Sequence, residues 1–317
     1  MEQRGARAAA YQQGLTAFCS LARSYVYAGR FDDAITLLRG LEAALVLPDV
    51  PAGARAELAL GLADALLWQG SLVRCASLQA ATAAAEQAVA AALSTGDQGT
   101  LARALLARAR AAYHRATQAG EATLDAASED AGEALRWADA AGDQESAAAA
   151  CLLTGLIAER AGRLREAEQL FRRVLAEAEQ RGYARERAEA LRHLGFAAVR
   201  AGLLEQAEEY FGDSLAALQG LGVGYALPFA HLALGEALGA RGQADAARRQ
   251  LEAGAALAET GGNRRALMQI LVALAEQRAG EPAAARALLE RALASASALG
   301  HPQGEALIAA RLGALGA

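Results

Sequence analysis

Small and apolar residues recur at fixed offsets along this chain. One stretch carries Leu194-Gly195, Ala201-Gly202, Ala207, Phe211 and Leu215, and the stretch before it carries Gly155, Ala161-Gly162, Ala167, Phe171 and Leu175. The stretch after has Leu234-Gly235, Gly242, Ala247, Leu251 and Ala255, and a fourth has Ala273, Ala279-Gly280, Ala285, Leu289 and Leu293. Near the N-terminus, Leu21-Ala22, Tyr25, Ala28-Gly29, Ala34 and Leu38 follow the same offsets. The intervening residues are largely Ala, Leu, Glu and Arg, all good helix formers. Glycine falls at 142, 162, 182, 202, 222, 242, 262, 280 and 300, with gaps of 20, 20, 20, 20, 20, 20, 18 and 20. Each interval predicts one helix, and two intervals predict a helical hairpin of about 40 residues. A period on that scale is the mark of stacked hairpins.

Each conserved offset has a physical purpose within the unit. The small residue at Gly195 or Gly235 lets the first helix of a hairpin approach its partner closely, and Ala167, Ala207 or Ala247 does the same on the second helix. Gly202 or Gly242 ends the first helix, where a left-handed residue is often needed. The large residue at Phe171, Phe211 or Leu251 fills the space between neighbouring hairpins. Seven hairpins are expected, with helix-ending glycines Gly29, Gly70, Gly120, Gly162, Gly202, Gly242 and Gly280. Their ranges are roughly 8–48, 54–95, 97–141, 143–181, 183–221, 223–261 and 263–299, followed by a capping helix over 302–317. The spacing is irregular over 71–141, where the second helices, Ser71–Thr95 and Glu121–Ala141, are expected to be longer or interrupted. Insertions in repeat arrays usually fall on one face, often the binding face.

These residues resemble the tetratricopeptide repeat (TPR), whose pattern has Leu-Gly, an aromatic, and then a small residue followed by an aromatic four positions on. The segment Tyr27-Ala28-Gly29-Arg30-Phe31-Asp32-Asp33-Ala34 is especially similar, and five units match well. Two departures matter. The usual unit is about 34 residues rather than about 40, the extra residues extending the first helix backwards, as in Gly182-Tyr183-Ala184-Arg185-Glu186-Arg187. The family's tryptophan position holds Phe18, Cys151, Leu191, His231 and Gln269. The chain is thus similar to the long-repeat TPR arrays of bacterial regulators and scaffolds. The resemblance implies an all-α fold, an α-α superhelix forming a single TPR-like solenoid domain over residues 1–317.

Composition agrees with an all-helical chain. Hydrophobic residues are 54% of the 317, aromatics only 5%, and five are proline. There is no lysine, so all 31 basic residues are arginine, against 36 acidic ones, and the net charge is −5. Because no segment collects arginine without matching acid, direct nucleic-acid binding is not expected. No run of about 18 uncharged apolar residues suits a membrane, and the start, Met1-Glu2-Gln3-Arg4, lacks an apolar secretory core. A cytoplasmic, soluble protein is expected. Cys19, Cys75 and Cys151 are far apart, flanked by alanine and leucine, and read as small buried side chains.

No constellation for catalysis or metal binding emerges. His114, His193, His231 and His301 lie far apart with no histidine or cysteine at ligand spacing. His193 reads as a half-buried structural histidine. The cluster Gly220-Leu221-Gly222-Val223-Gly224 has no preceding strand and no following Gly-Lys-Ser/Thr, so it is an inter-repeat turn rather than a phosphate loop. No Gly-x-Ser-x-Gly elbow occurs. Neither an enzyme nor a cofactor is expected.

In TPR arrays the first helices line the inner groove. By that resemblance the groove would include Ala149, Leu152, Leu156, Glu159 and Arg160, then Glu189, Arg192, Phe196, Val199 and Arg200. Phe229, Leu232, Glu236 and Gly239 follow, and then Leu267, Ile270, Leu274, Gln277 and Arg278. Arg160, Arg192 and Arg200 would receive an acidic group of a ligand, since arginine holds a carboxylate in bidentate fashion. The leading expectation is a non-enzymatic scaffold binding a peptide or protein segment. The alternative is a sensory module of a bacterial transcriptional or signalling system, binding a small molecule or signalling peptide. Apolar residues at the C-terminal end, Leu312, Leu315 and Ala317, also suggest self-association through the repeat ends.

Overall fold

The computed structural model describes residues 2–44, 50–118 and 124–315, excepting the side chains of 2–12 and of Ala44. Among these residues there are fifteen α-helices and no strand. They are α1 (Glu2–Tyr27), α2 (Phe31–Ala44), α3 (Ala52–Leu72), α4 (Ser77–Thr95), α5 (Gln98–Gln118), α6 (Asp125–Ala141), α7 (Gln144–Arg160) and α8 (Leu164–Arg181). Then come α9 (Ala184–Arg200), α10 (Leu204–Leu221), α11 (Leu227–Ala240), α12 (Ala244–Thr260), α13 (Arg264–Gln277), α14 (Pro282–Leu299) and α15 (Pro302–Ala314). The helices form two compact units. The first holds residues up to Ser71 and Ala76–Ile157, and the second holds Leu72–Cys75 and everything from Ala158 onward.

Gly202 shows how a first helix stops. At φ 75° it is left-handed, which turns the chain so that the Leu203 N–H reaches back to Ala198 O at 2.9 Å. A side chain at that φ would be strained, so glycine is required. Gly162 and Gly242 repeat the conformation. Two other expected stops differ. Gly70 lies inside α3, where its missing side chain admits Leu78: a Cβ there would sit 2.8 Å from Leu78 Cδ2. Gly280 is not left-handed. Gly120 lies outside the described residues.

In the first unit, alanine-rich faces bring α4, α5 and α6 close together. Ala88, Ala104, Ala109, Ala127, Ala131 and Ala134 are almost fully buried, with Leu105, Leu106 and Leu153 between them. Ion pairs tie α5 to α6 and to α3. Arg108 grips Asp130 in a two-pronged contact, Nε to Oδ2 at 2.7 Å and Nη2 to Oδ1 at 2.6 Å, and Arg103 holds Glu57 with both terminal nitrogens. In the irregular stretch the helix over 71–95 is interrupted, one of the two expected forms, α3 ending at Leu72 and α4 starting at Ser77. The long members are the first helices α3 and α5, with 21 residues each, whereas α4 and α6 have 19 and 17.

In the second unit the interlock is between a glycine and a large side chain. Gly195 on α9 faces Phe211 on α10, and Gly235 on α11 faces Leu251 on α12. Phe171, Phe211 and Leu251 are fully buried, which is the packing role expected of them. Asn263 caps α13: its side-chain oxygen accepts from Ala266 N at 3.0 Å, and its amide donates to Tyr225 O at 3.0 Å. Helix α15 lays Ile308 into the last core, with Leu312 and Leu315 half-buried beside it, so these leucines are engaged within the unit. The segment Leu72–Cys75 also belongs here, Cys75 N–H donating to Leu299 O at 2.8 Å. Of the cysteines only Cys151 is buried, Cys19 and Cys75 being half-exposed; all three are free thiols.

Candidate functional site

The first helices of the second unit lie side by side, α11 resting against both α9 and α13. Each also packs on its own second helix. A first helix therefore has two buried faces, and only what remains is reachable. Leu232, Ile270 and Leu274, expected in the groove, are buried in the core between hairpins. Among the expected groove residues of this layer, those with accessible surface include Phe196, Val199 and Arg200 on α9, Phe229, Glu236 and Gly239 on α11, and Leu267, Gln277 and Arg278 at α13. Leu156 belongs to the first unit, where it packs half-buried on the core.

Four of the expected site residues meet in one polar network. Glu159 accepts from His193 Nδ1 at 2.7 Å and from Arg200 Nη2 at 2.9 Å. Arg192 Nη2 reaches Glu189 Oε2 at 2.6 Å and His193 Nε2 at 3.0 Å. A guanidinium only donates, so His193 Nε2 must accept, and the network assigns a neutral ring with its proton on Nδ1. The ring is stacked on Phe171, centroids 4.9 Å apart, with Phe196 edge-on at 5.9 Å. Burial, then the charge of Arg192, pushes the imidazole below its ordinary pKa, against the pull of Glu159. The carboxylates are held ionised. Burial would raise Glu189, but the charge and hydrogen bond of Arg192 outweigh it, followed by His193 and Arg185, and bring it to about 2. Glu159 is likewise lowered, its burial being overcome by hydrogen bonds that include those of His193 and Arg200.

The network corrects the expected ligand chemistry. Arg192 and Arg200, read as receivers of an acidic group, already carry carboxylates of the protein itself. Arg278 lies 3.8 Å from Glu281. Arg160 is exposed and has no ion pair among the described residues. Glu236 is the opposite case. It makes no hydrogen bond or ion pair among the described residues, and part of it is open to solvent. Its carboxyl is nevertheless pushed above the usual range, first by the surrounding protein that desolvates it and then by the charge of Glu276.

The remaining histidines have structural partners. His231 Nδ1 is 2.7 Å from Gln250 Oε1, and His114 Nδ1 is 3.0 Å from Gln118 Nε2. His301 caps α15, Nδ1 accepting from Gly304 N at 2.8 Å. Among the described residues, no three histidine, cysteine or carboxylate side chains gather where they could hold a metal ion. No described helix is long and apolar enough to cross a membrane.

No protein-family model matches the chain, and no curated protein matches it by sequence. Solved structures resemble it in fold. A Rap protein complexed with Competence and Sporulation Factor is 14% identical, with a TM-score of 0.56, covering 96% of this chain and 98% of that one. NprR in complex with its cognate peptide NprX is 16% identical, with a TM-score of 0.63 and coverage of 88% and 77%. Aspartyl phosphate phosphatase F from Bacillus subtilis is 12% identical, with a TM-score of 0.55 and coverage of 95% and 93%. At these identities the likeness is one of fold, and the fold is an all-α, TPR-like helical repeat.

Proposed function

We propose that this chain is a non-enzymatic interaction module of the cytoplasm that binds a peptide or protein segment across the first-helix layer of its second unit. The observation that carries the reading is the character of that layer. It offers half-exposed apolar anchors, Phe196, Val199, Phe229 and Leu267, beside polar groups at Arg200, Glu236 and Gln277. Such a mixture suits an extended or helical segment with apolar side chains and a few fixed polar contacts. The layer is backed by the buried Glu159–His193–Arg192–Glu189 network, which fixes the orientation of α9. Nothing in that network favours chemistry: both imidazole nitrogens of His193 are engaged by protein groups.

The ligand of a signalling system is the second reading, and one observation favours it. NprR was captured with its cognate peptide, and a Rap protein with Competence and Sporulation Factor, both on this fold. A short signalling peptide is therefore the form of ligand to try first. Self-association through the repeat ends is a separate proposal. Leu307 on α15 is 56% exposed, and light scattering of the full chain against Leu307→Glu tests it.

Selection of a random peptide library on the full-length chain tests the main reading. Wild type is expected to enrich a defined set of sequences, and Val199→Asp, at a position 37% exposed, is expected to lose them while keeping its helix content. Failure to enrich any sequence, or enrichment unchanged by Val199→Asp and Phe229→Ala, would overturn it.

A further inference from the structure

We propose that Glu236 sets the ligand chemistry of this layer by holding the guanidinium or ammonium of an arginine or lysine side chain in the bound peptide. The proposal rests on the peptide-binding reading above and adds to it the charge of the ligand.

Register is the first support. The position one residue after Gly195, Gly235 and Ala273 is Phe196 in α9 and Leu274 in α13, but Glu236 in α11. A charged group thus stands where its neighbours carry a large apolar side chain. Glu236 is exposed, so in the free protein its partner is water, which a cationic side chain can displace.

Pairing is the second. The other carboxylates of the layer each have a cation: Glu159 has Arg200 and Glu189 has Arg192. Glu276, the charge that acts on Glu236, is itself bound by Arg311. Among the described residues no cation offsets Glu236. The nearby protein and the charge of Glu276 raise its carboxyl rather than lowering it, so an incoming cation would meet a group that gains by being paired.

Access is the third. One turn further along α11, Gly239 is exposed and has no side chain to cover the carboxylate, and a Cβ there would already lie 3.6 Å from Gln277 Nε2. A cationic side chain can therefore descend beside Glu236 with the Gln277 amide at the same spot. A forked guanidinium can bond a carboxylate through two donors, and either cation forms a charge-assisted contact.

The test uses the full chain and a random heptapeptide library, followed by synthetic versions of the selected peptides. Wild type is expected to select sequences sharing an arginine or lysine next to apolar residues. Glu236→Gln should weaken them about tenfold or more, as loss of a charge-assisted bond does. Replacing the shared arginine by citrulline should weaken wild type similarly and Glu236→Gln hardly at all, since the two changes remove one interaction. A readout independent of any ligand is stability. Glu236→Leu restores the apolar register and should leave the melting temperature unchanged or raise it by about 1–3 °C. Selected peptides without a common cation, or bound equally by Glu236→Gln, overturn the assignment and leave the peptide-binding reading standing. A fall in melting temperature for Glu236→Leu also overturns it, because Glu236 would then serve the fold. If no peptide is selected at all, both readings fail together.

Discussion

Replacing Gly195 by alanine should destabilise the second unit even though alanine is the better helix former. A Cβ at Gly195 would lie 2.4 Å from Phe211 Cε1, 2.7 Å from Cδ1 and 2.8 Å from Cζ. Carbon atoms prefer about 3.5–4.0 Å, so the ring must retreat by roughly 1 Å. It has little room: Phe211 is 1% exposed and its ring centroid is 5.1 Å from that of Phe196. Overpacking of this kind costs about 1–3 kcal/mol, and the helix propensity of alanine returns about 1 kcal/mol. The clash here is severe, so a net loss of about 2 kcal/mol is expected. Gly212→Ala is the matched control, because that glycine sits in α10 with nothing within 4 Å of its Cβ position. It should gain a few tenths to about 1 kcal/mol. Phe211→Leu combined with Gly195→Ala relieves part of the clash, a Cβ against leucine at Gly235 lying 2.9 Å from Leu251 rather than 2.4 Å, and should recover about 1 kcal/mol relative to additivity. Urea unfolding followed by circular dichroism is the appropriate assay. Tryptophan fluorescence is not, since Trp68 and Trp137 both lie in the first unit. Gly195→Ala matching Gly212→Ala in stability, or the double variant showing no coupling, would refute the interlock.

Acid should weaken the second unit in two steps. The folded pKa of His193 is depressed, so its contribution is complete above its unfolded value of about 6.5 and declines as pH falls through the lower folded value. Glu189 is also depressed, from 4.5 to about 2, so its contribution is present above pH 4.5 and lost toward pH 2, at most about 3 kcal/mol. His193→Gln should remove the upper step in a pH series of melting temperatures, and persistence of that step would place the titration elsewhere. Asp130→Ala should cost the first unit about 2–4 kcal/mol, because it strands Arg108 from its two-pronged partner; a loss below about 0.5 kcal/mol in denaturant would contradict that account. Asn263→Ala should cost about 2–3 kcal/mol, removing the cap on Ala266 and leaving Tyr225 O without its donor. Asn263→Asp should recover roughly the capping half, and equal losses for both variants would show that the cap contributes nothing.

The repeat was legible because it is written in backbone and volume requirements. A left-handed residue such as Gly202 and a close approach such as Gly195 on Phe211 each demand glycine, and the alternation of small and large residues marks which helix faces which. The same requirements explain the errors. Gly70 was expected to end a helix because capping and close packing call for the same residue; the structure uses it to admit Leu78 inside α3. The sequence places Phe196 and Glu236 in a stripe on first helices, but a stripe of period 3.6 does not say whether it faces a groove or the next hairpin. Ile270 and Leu274 face the next hairpin.

The groove arginines have two kinds of partner: Arg192 and Arg278 have an acid one turn away, whereas the acid of Arg200 lies a repeat away. In the second unit an acid on one hairpin meets an arginine on the following element: Glu159 with Arg200, Glu208 with Arg241, Glu259 with Arg291, and Glu276 with Arg311. The separations are 41, 33, 32 and 35 residues, close to the length of the unit, so aligning repeats and asking which acid precedes which arginine would have found them. Two of these pairs, Glu259–Arg291 and Glu276–Arg311, are more than a third exposed on both sides and are worth only about 0–1 kcal/mol each. The consequence of the series is chemical. It occupies the carboxylates of the first helices, Glu159 and Glu276, on either side of Glu236. The neighbouring arginines are engaged elsewhere, Arg278 lying near Glu281 and Arg311 on Glu276, which is why the proposed partner of Glu236 is a cation supplied by the ligand.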